Sequence, residues 1–407
     1  MHGTARVLQP TTTAQEYDIS LFMALELSRS SWLLAVSVPH SDKISKYRID
    51  AGDSTALLNL LWRLRAEAER RCGGPAKIIS IYEAGLDGFW VHRLLGASGV
   101  ESHVVDAASI PVDRRSRRVK TDRVDAEKLL RSLMSWARGE RQVCSMVRPP
   151  SRAEEDERRL TRERGTLVTE RVRHVNRIKG LLATQGVFDF EPMRRDRRDR
   201  LEELRCWSGQ PLPPRLKTEL IREIDRLELV ITQLREIEAE RDLTLQTTRP
   251  AAEKLPEEPK VKPTPVASYG SQLLRLRGIG PEFASVLSLE AFYRDFRNRR
   301  ELAAYSGLTP SPWKSGGINV EQGISKAGNA RLRKTMIQLA WLWLRHQPGS
   351  ALSRWFYERV GDKRGKIRRI AVVALARKLL VALWRYVTEG VVPLGANLKV
   401  LNEARRQ

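Results

Sequence analysis

Two aspartates stand three apart in KTDRVDAEKLL (residues 120–130), Asp122 and Asp125, directly after a stretch crowded with arginine. On a helix, positions i and i+3 share a face, so both carboxylates point the same way. Like charges at that spacing repel unless something positive sits between them. Glu26 lies in ALEL, whose other positions are apolar, and an ionised acid there is costly unless it is paired or holds a metal. Glu83 stands where the apolar run IISIY ends. Taken singly, each of the four acids also reads as a surface or capping residue. Brought to one point they cannot all ionise unaided, and one or two Mg²⁺ ions would neutralise them. Such an ion can activate an attacking oxygen and stabilise a leaving oxygen at a phosphodiester. Arg117, Arg118 and Lys120 beside the aspartates would then hold a nucleic-acid backbone.

A second stretch, GLTPSPWKSGGINVEQGISKAGNARLRK (307–334), is rich in glycine and hydroxyls and short of acids. Ser315 precedes two glycines, which places its hydroxyl on a flexible, exposed turn. A serine near Lys326, Arg331 and Arg333 can attack phosphorus and have the developing charge stabilised. Spacing alone does not choose it over Ser311 or Ser325, and a Ser-Gly-Gly turn is also ordinary loop chemistry. Upstream, LRGIGP (276–281) is similar to the turn of helix-hairpin-helix modules. There Gly278 and Gly280 let backbone N–H groups approach a phosphate. A plain connection between helices is the equal alternative.

These residues need elements to position them. From residue 21, LFMALEL, WLLAVSV and ISKYRID read as three strands in meander order, split by turn residues. STALLNLLWRLRAEAERR (54–71) has helical spacing, AKIISIY (76–82) is a buried strand, a helix starts at Asp87 and runs through FWVHRLLG, and ESHVVDA (101–107) is a further strand. The helix carrying Asp122 and Asp125 follows. The order β-β-β-α-β-α-β-α is that of an RNase H-like domain. In that topology the first strand and the next parallel strand are neighbours, so Glu26 and Glu83 meet, and a helix returning over the sheet brings the aspartates to them.

Residues 151–248 are highly charged and helical. Leu220, Ile224, Leu227, Ile231 and Leu234 alternate spacings of four and three, an a/d seam that predicts a helical hairpin or partner contact. Within this region MRRDRRDR (193–200) holds five arginines, suited equally to phosphates or to a soluble loop. Residues 249–268 contain five prolines and predict an extended linker. A mostly helical unit follows from 269 to 407, with a tryptophan-rich stretch and the basic segment GDKRGKIRRI (361–370).

Composition narrows the classes. The 407 residues exceed one compact core, and 41% hydrophobic residues exclude global disorder. A net charge of +23, from 72 Lys+Arg against 49 Asp+Glu, favours polyanion partners, above all nucleic acid. With no long apolar run and a polar, mixed first twenty residues, the expectation is a soluble, intracellular protein. Cys72, Cys144 and Cys206 are far apart, without CxxC spacing, and read as structural thiols.

The series ALELS, YEAG and KTDRVDAEKL, followed by LRGIGP, LAAYSGLTPSPWKSGG and QGISKAGNARLRK, resembles the DEDD-type insertion-sequence transposases, the bridge-RNA-guided recombinases. The motifs stand in the family's order from about residue 21 to about 390. The resemblance implies a RuvC-like domain over 21–150 after an N-terminal extension (1–20), a coiled-coil insertion, and a C-terminal transposase domain. It implies that Glu26, Glu83, Asp122 and Asp125 are the catalytic, Mg²⁺-binding acids and that Ser315 is the nucleophile. It also implies target and donor DNA, a structured guide RNA and a homo-oligomer, dimer or tetramer, as partners, with no membrane among them, and the bacterial cytoplasm, at the nucleoid, as location. The first acid departs from the pattern, being Glu26 where the family usually has Asp; glutamate is one methylene longer and still an oxygen ligand. Two other readings remain: a metal-dependent nuclease of the Holliday-junction type, with Ser315 structural, and a catalytically inactive nucleic-acid-binding remnant.

Overall fold

The computed structural model describes residues 19–85, 88–106, 109–110, 122–247, 265–315 and 318–399. The chain divides after Pro150 into two compact units.

In the first unit, β1 (Ile19–Leu27), β2 (Ser31–Ser37) and β3 (Ile44–Asp50) form an antiparallel meander. Then come α1 (Ser54–Cys72), β4 (Ala76–Glu83), α2 (Trp90–Ala97), β5 (Glu101–Val105) and α3 (Asp122–Ala137). The expected element order is therefore observed. A sixth strand, β6 (Met146–Val147), pairs antiparallel with β5; two residues carry no periodicity to read in advance. The sheet order is β3-β2-β1-β4-β5-β6, with β1–β4 and β4–β5 parallel. The helix expected from Asp87 begins at Trp90, and residues 86–87 lie outside the described residues.

Strand alternation sorts the side chains into two layers. Leu21, Met23 and Leu25 of β1 and Ile78 and Tyr82 of β4 pack with Leu57, Leu61 and Leu64 of α1 and Val91 and Leu95 of α2. Ala24 of β1, Leu33 and Ala35 of β2 and Ile81 of β4 pack with Ala126, Leu129, Leu130 and Leu133 of α3. Asp53 starts α1 by accepting from the Ala56 N–H at 2.8 Å.

The second unit opens on α4 (Arg152–Ala183), started by a reciprocal Ser151–Glu154 capping box. It continues through α5 (Arg197–Glu203) to α6 (Pro214–Thr247). Ile178 and Leu182 share a core with Leu220, Ile224 and Leu227, while Leu167 packs with Val230 and Leu234. Ascending numbers on one helix meet descending numbers on the other, so the pair is antiparallel, and the five seam positions face α4.

Residues 249–264 of the expected linker lie outside the described residues. Its last residues depart from the extended expectation: Pro265 opens α7 (Pro265–Leu274), where a proline costs nothing because a first-turn N–H has no helical acceptor. Then follow α8 (Pro281–Leu287), a π-helical turn (Ser288–Phe292), α9 (Arg299–Tyr305), α10 (Ala330–His346), α11 (Ala351–Val360) and α12 (Lys366–Glu389). A strip on α12 that includes Ala371, Leu375, Leu379, Leu383 and Tyr386 anchors their shared core. Between α9 and α10 lies a β-hairpin, β7 (Pro310–Ser315) with β8 (Ile318–Ile324), in a stretch read from sequence as a loop.

Candidate functional site

Each unit carries part of the candidate chemistry. In the first, the register Leu25↔Tyr82 between β1 and β4, continued by one residue, sets Glu26 beside Glu83 at one strand spacing, about 4.8 Å. Alternation puts Glu26 on the face of Phe22 and Ala24, and Glu83 on the face of Ile79 and Ile81, which is the face α3 covers. Both glutamates are half-buried. Asp122 and Asp125 open α3, and Asp125 is half-buried next to Ala126, which packs against the sheet. The side chain of Asp122, and Arg117, Arg118 and Lys120 entirely, lie outside the described residues.

The fold thus brings Glu26 and Glu83 together and sends the aspartate helix over the same face. Among the described residues, no group of three or more acids, histidines or cysteines stands close enough to hold a metal ion. Carboxylate oxygens are the donors a hard cation such as Mg²⁺ takes. The residue after Ala126 is otherwise engaged: Glu127 pairs with Lys46 of β3, and that hydrogen bond holds its carboxyl below the ordinary value.

In the second unit, Ser315 is the last residue of β7, in register with Ile318 of β8. The sequence suggested a flexible turn; the backbone is instead that of a strand end, with the two-residue connection Gly316–Gly317 outside the described residues. The side chain of Ser315 also lies outside them. The rival serines have other surroundings. Ser325 sits at the base of the hairpin, its N–H donating to the Thr309 carbonyl at 2.9 Å and its Oγ accepting from Thr309 Oγ1 at 3.3 Å. Ser311 lies within β7, half-buried.

The three cations proposed around the serine differ as well. Lys326 is exposed, with a left-handed backbone at φ 57°. Arg333 is half-buried, its Nη1 donating to the carbonyls of Ala327 (3.2 Å) and Ser306 (3.4 Å). Arg331 donates to the Thr161 carbonyl on α4, over Gly165, and burial lowers its guanidinium from the ordinary value. These two arginines fasten the loop and α10 to the unit. Gly328, at φ 76°, is required because a Cβ there would stand 2.2 Å from the Tyr305 carbonyl.

Of the helix-hairpin-helix pair, Gly278 has φ 91°, and a Cβ there would meet His346 Cβ at 2.7 Å, so close approach of α10 already demands glycine. Gly280 caps α8 in an extended conformation, with open space where its Cβ would be.

One residue that the sequence reading passed over ties this region together. Glu290 in the π-helical turn is 3% exposed. Its carboxylate accepts from Arg162 Nε (3.1 Å) and Nη2 (3.4 Å) of α4 and from Asn329 Nδ2 (3.1 Å). Asn329 uses its other end to accept from the Leu332 N–H at 3.0 Å, which caps α10. Tyr305 donates to the Glu290 carbonyl at 2.9 Å, and burial pushes its phenol up to about 12. The start of α10, directly after β8, is therefore fixed to α4 through one buried acid. The available signal was a lone glutamate in the apolar run FASVLSLEAF, which requires a partner.

Comparison with known proteins defines the class. Residues 270–355, which include the hairpin, α10 and the turn between α7 and α8, match the family described as transposase IS116/IS110/IS902. A putative transposase, y4rJ, from Sinorhizobium fredii (strain NBRC 101917 / NGR234) is 52% identical over 390 residues, covering 95% of this chain and 97% of that protein. The transposase for insertion sequence element IS1111A from Coxiella burnetii is 28% identical over 305 residues, 74% of each chain. The chain belongs to the IS116/IS110/IS902 family of insertion-sequence transposases, enzymes that modify DNA. No helix among the described residues is long and apolar enough to cross a membrane.

Proposed function

We propose that this transposase recombines DNA by transesterification at Ser315, directed by a structured RNA from its own element. The observation that carries the reading is the place of Ser315, at the strand end of the one β-hairpin described in the second unit, inside the segment that matches the family. In the proposed step the Ser315 hydroxyl loses its proton as Oγ bonds to a DNA phosphorus. The bond from phosphorus to the leaving deoxyribose oxygen breaks, and that oxygen takes up a proton. A DNA hydroxyl attacking the phosphoserine reverses the exchange, rejoins the strand and regenerates the serine. Exposed Lys326 is available to the charge on the phosphoryl oxygens.

For the first unit we infer an RNase H-like, RuvC-like domain. The strand order β3-β2-β1-β4-β5, with acids at the ends of adjacent β1 and β4, supports it. Glu26, Glu83, Asp122 and Asp125 are the residues that would hold Mg²⁺, which supplies charge compensation at a phosphodiester when bound. The antiparallel α4–α6 pair is read as a coiled-coil arm, and the working form as a homo-oligomer, dimer or tetramer, on target and donor DNA.

The decisive test purifies the protein with its co-purifying RNA and assays for covalent protein–DNA species. Ser315→Ala leaves nucleic-acid binding unchanged and eliminates the adduct, while Ser311→Ala and Ser325→Ala are far milder. If Ser315→Ala still cuts DNA in Mg²⁺, leaving free ends, the protein is a metal-dependent nuclease and the serine assignment is wrong. Asp122→Asn or Asp125→Asn abolishes recombination with the circular-dichroism spectrum unchanged; normal recombination by either variant removes the acidic site. RNA guidance fails if sequencing of the bound pool shows no enrichment for transcripts from beside the gene.

A further inference from the structure

The turn between α11 and α12 has no part in the proposed chemistry. Every residue from Gly361 to Ile370 is exposed. From Arg354 to Arg369 the chain carries seven cations (Arg354 and Arg359 on α11, then Lys363, Arg364, Lys366, Arg368 and Arg369 in the turn and first helical residues) against Glu358 and Asp362, a net of +5. Among the described residues none of Arg359, Lys363, Arg364, Lys366 and Arg369 forms an ion pair. Arg368 lies over the half-exposed Trp341 ring at 5.3 Å, and Tyr357, Ile367 and Ile370 stand exposed beside it.

This arrangement is unfavourable for the isolated protein. Like charges crowd one turn, and Lys366, Arg368 and Arg369 occupy the first turn of α12, where the helix dipole also disfavours cations. Other helices in the unit are built the opposite way, with Glu154 and Glu155 opening α4 and Glu301 opening α9. An external polyanion removes the penalty.

We propose that the α11–α12 turn binds the sugar-phosphate backbone of duplex DNA. The assignment rests on the transposase reading and adds to it a surface. Ten residues of α11 span about 15 Å, the reach of about four phosphates at ~3.4 Å per step along a strand. A protruding basic helix end fits against the wide major groove of B-form DNA, whereas the deep, narrow groove of duplex RNA excludes it. Residues 354–370 contain no Asn or Gln, the side chains that read adenine in pairs of hydrogen bonds, and a contact to the backbone carries no sequence information of its own.

The test compares the full-length protein with a Lys363→Gln/Arg364→Gln/Lys366→Gln/Arg369→Gln variant by fluorescence anisotropy. The probes are a DNA duplex of about 30 bp, arbitrary in sequence, and an RNA duplex of equal length, titrated over a range of salt. Replacing four phosphate contacts lowers the slope of log K against log salt by about 3 to 4 and weakens DNA binding by tenfold or more at moderate salt. RNA-duplex binding changes by less than about twofold on the same grounds. A control that removes four exposed arginines elsewhere (Arg63, Arg215, Arg222 and Arg235, each to Gln) shifts the slope by less than about one unit. An unchanged slope in the turn variant overturns the proposal, as does an equal loss for RNA or from the control. Wild-type protein that fails to bind duplex DNA at all would instead overturn the proposed recombination of DNA on which this surface rests. Because all four residues are exposed, an unchanged melting temperature confirms that the fold is intact.

Discussion

Two arginine-rich stretches in the second unit look alike in sequence and are treated oppositely by the fold. In MRRDRRDR (193–200), Arg194 pairs with Asp196, Arg197 with Glu228, and Arg198 with Asp225 and Glu228, at 2.6 to 2.8 Å. Suited equally to phosphates or to a soluble loop by sequence, these three arginines are engaged within the protein: α6 supplies the acids for Arg197 and Arg198, and the stretch itself supplies Asp196 for Arg194. In GDKRGKIRRI (361–370), no acid among the described residues pairs with Lys363, Arg364, Lys366 or Arg369. A basic run is informative about ligands only after its neighbours' acids have been subtracted, and the acids on α6 lie about thirty residues away in sequence.

This contrast can be broken or sharpened by measurement. The largest effect is expected where a partnered cation meets a buried acid. Glu290→Ala removes the acceptor shared by Arg162 and Asn329 and should cost about 2–3 kcal/mol. Chemical denaturation of the variant checks this, and a loss under about 1 kcal/mol would show that the network is dispensable. Glu228→Gln loosens Arg197 and Arg198 together; with all three partly solvated, the cost is about 1 kcal/mol and shrinks in high salt.

The same pair predicts a pH dependence. Arg198, then Arg197, holds the Glu228 carboxyl below the ordinary carboxylate value. A group whose folded pKa is depressed contributes stability that is fully present above its unfolded pKa, about 4.3, and is lost as pH falls through the folded pKa. The gap in melting temperature between wild type and Glu228→Gln should therefore be full at neutral pH and close in acid. A gap that widens in acid would reverse the assignment. The smallest effect belongs to the unpaired stretch: the quadruple glutamine variant at 363–369 should keep its stability within about 0.5 kcal/mol. A substantial loss there would mean that the two stretches are not opposites.

The same division runs through the candidate site. Strand alternation and turn residues were enough to read five strands, their order and the three helices among them, because periods of 2 and 3.6 are local properties of the chain. They also placed Glu26 in the first strand, Glu83 where the fourth ends, and both aspartates on one helix. The seam on α6 was legible for the same reason. What the sequence could not contain was pairing. The expected topology put β1 beside β4, but the register that sets Glu26 level with Glu83 came only with the paired strands. The hairpin under Ser315 was hidden because Pro310, Pro312 and a bulge between them interrupt the alternation. That Arg331 holds a backbone carbonyl of α4, and that Glu290 joins α4 to the start of α10, depended on elements far apart in the chain. Residue type and spacing fix which chemistry a side chain can perform. Only the tertiary structure decides which of those side chains are already occupied, since hydrogen bonds and ion pairs form between neighbours in space.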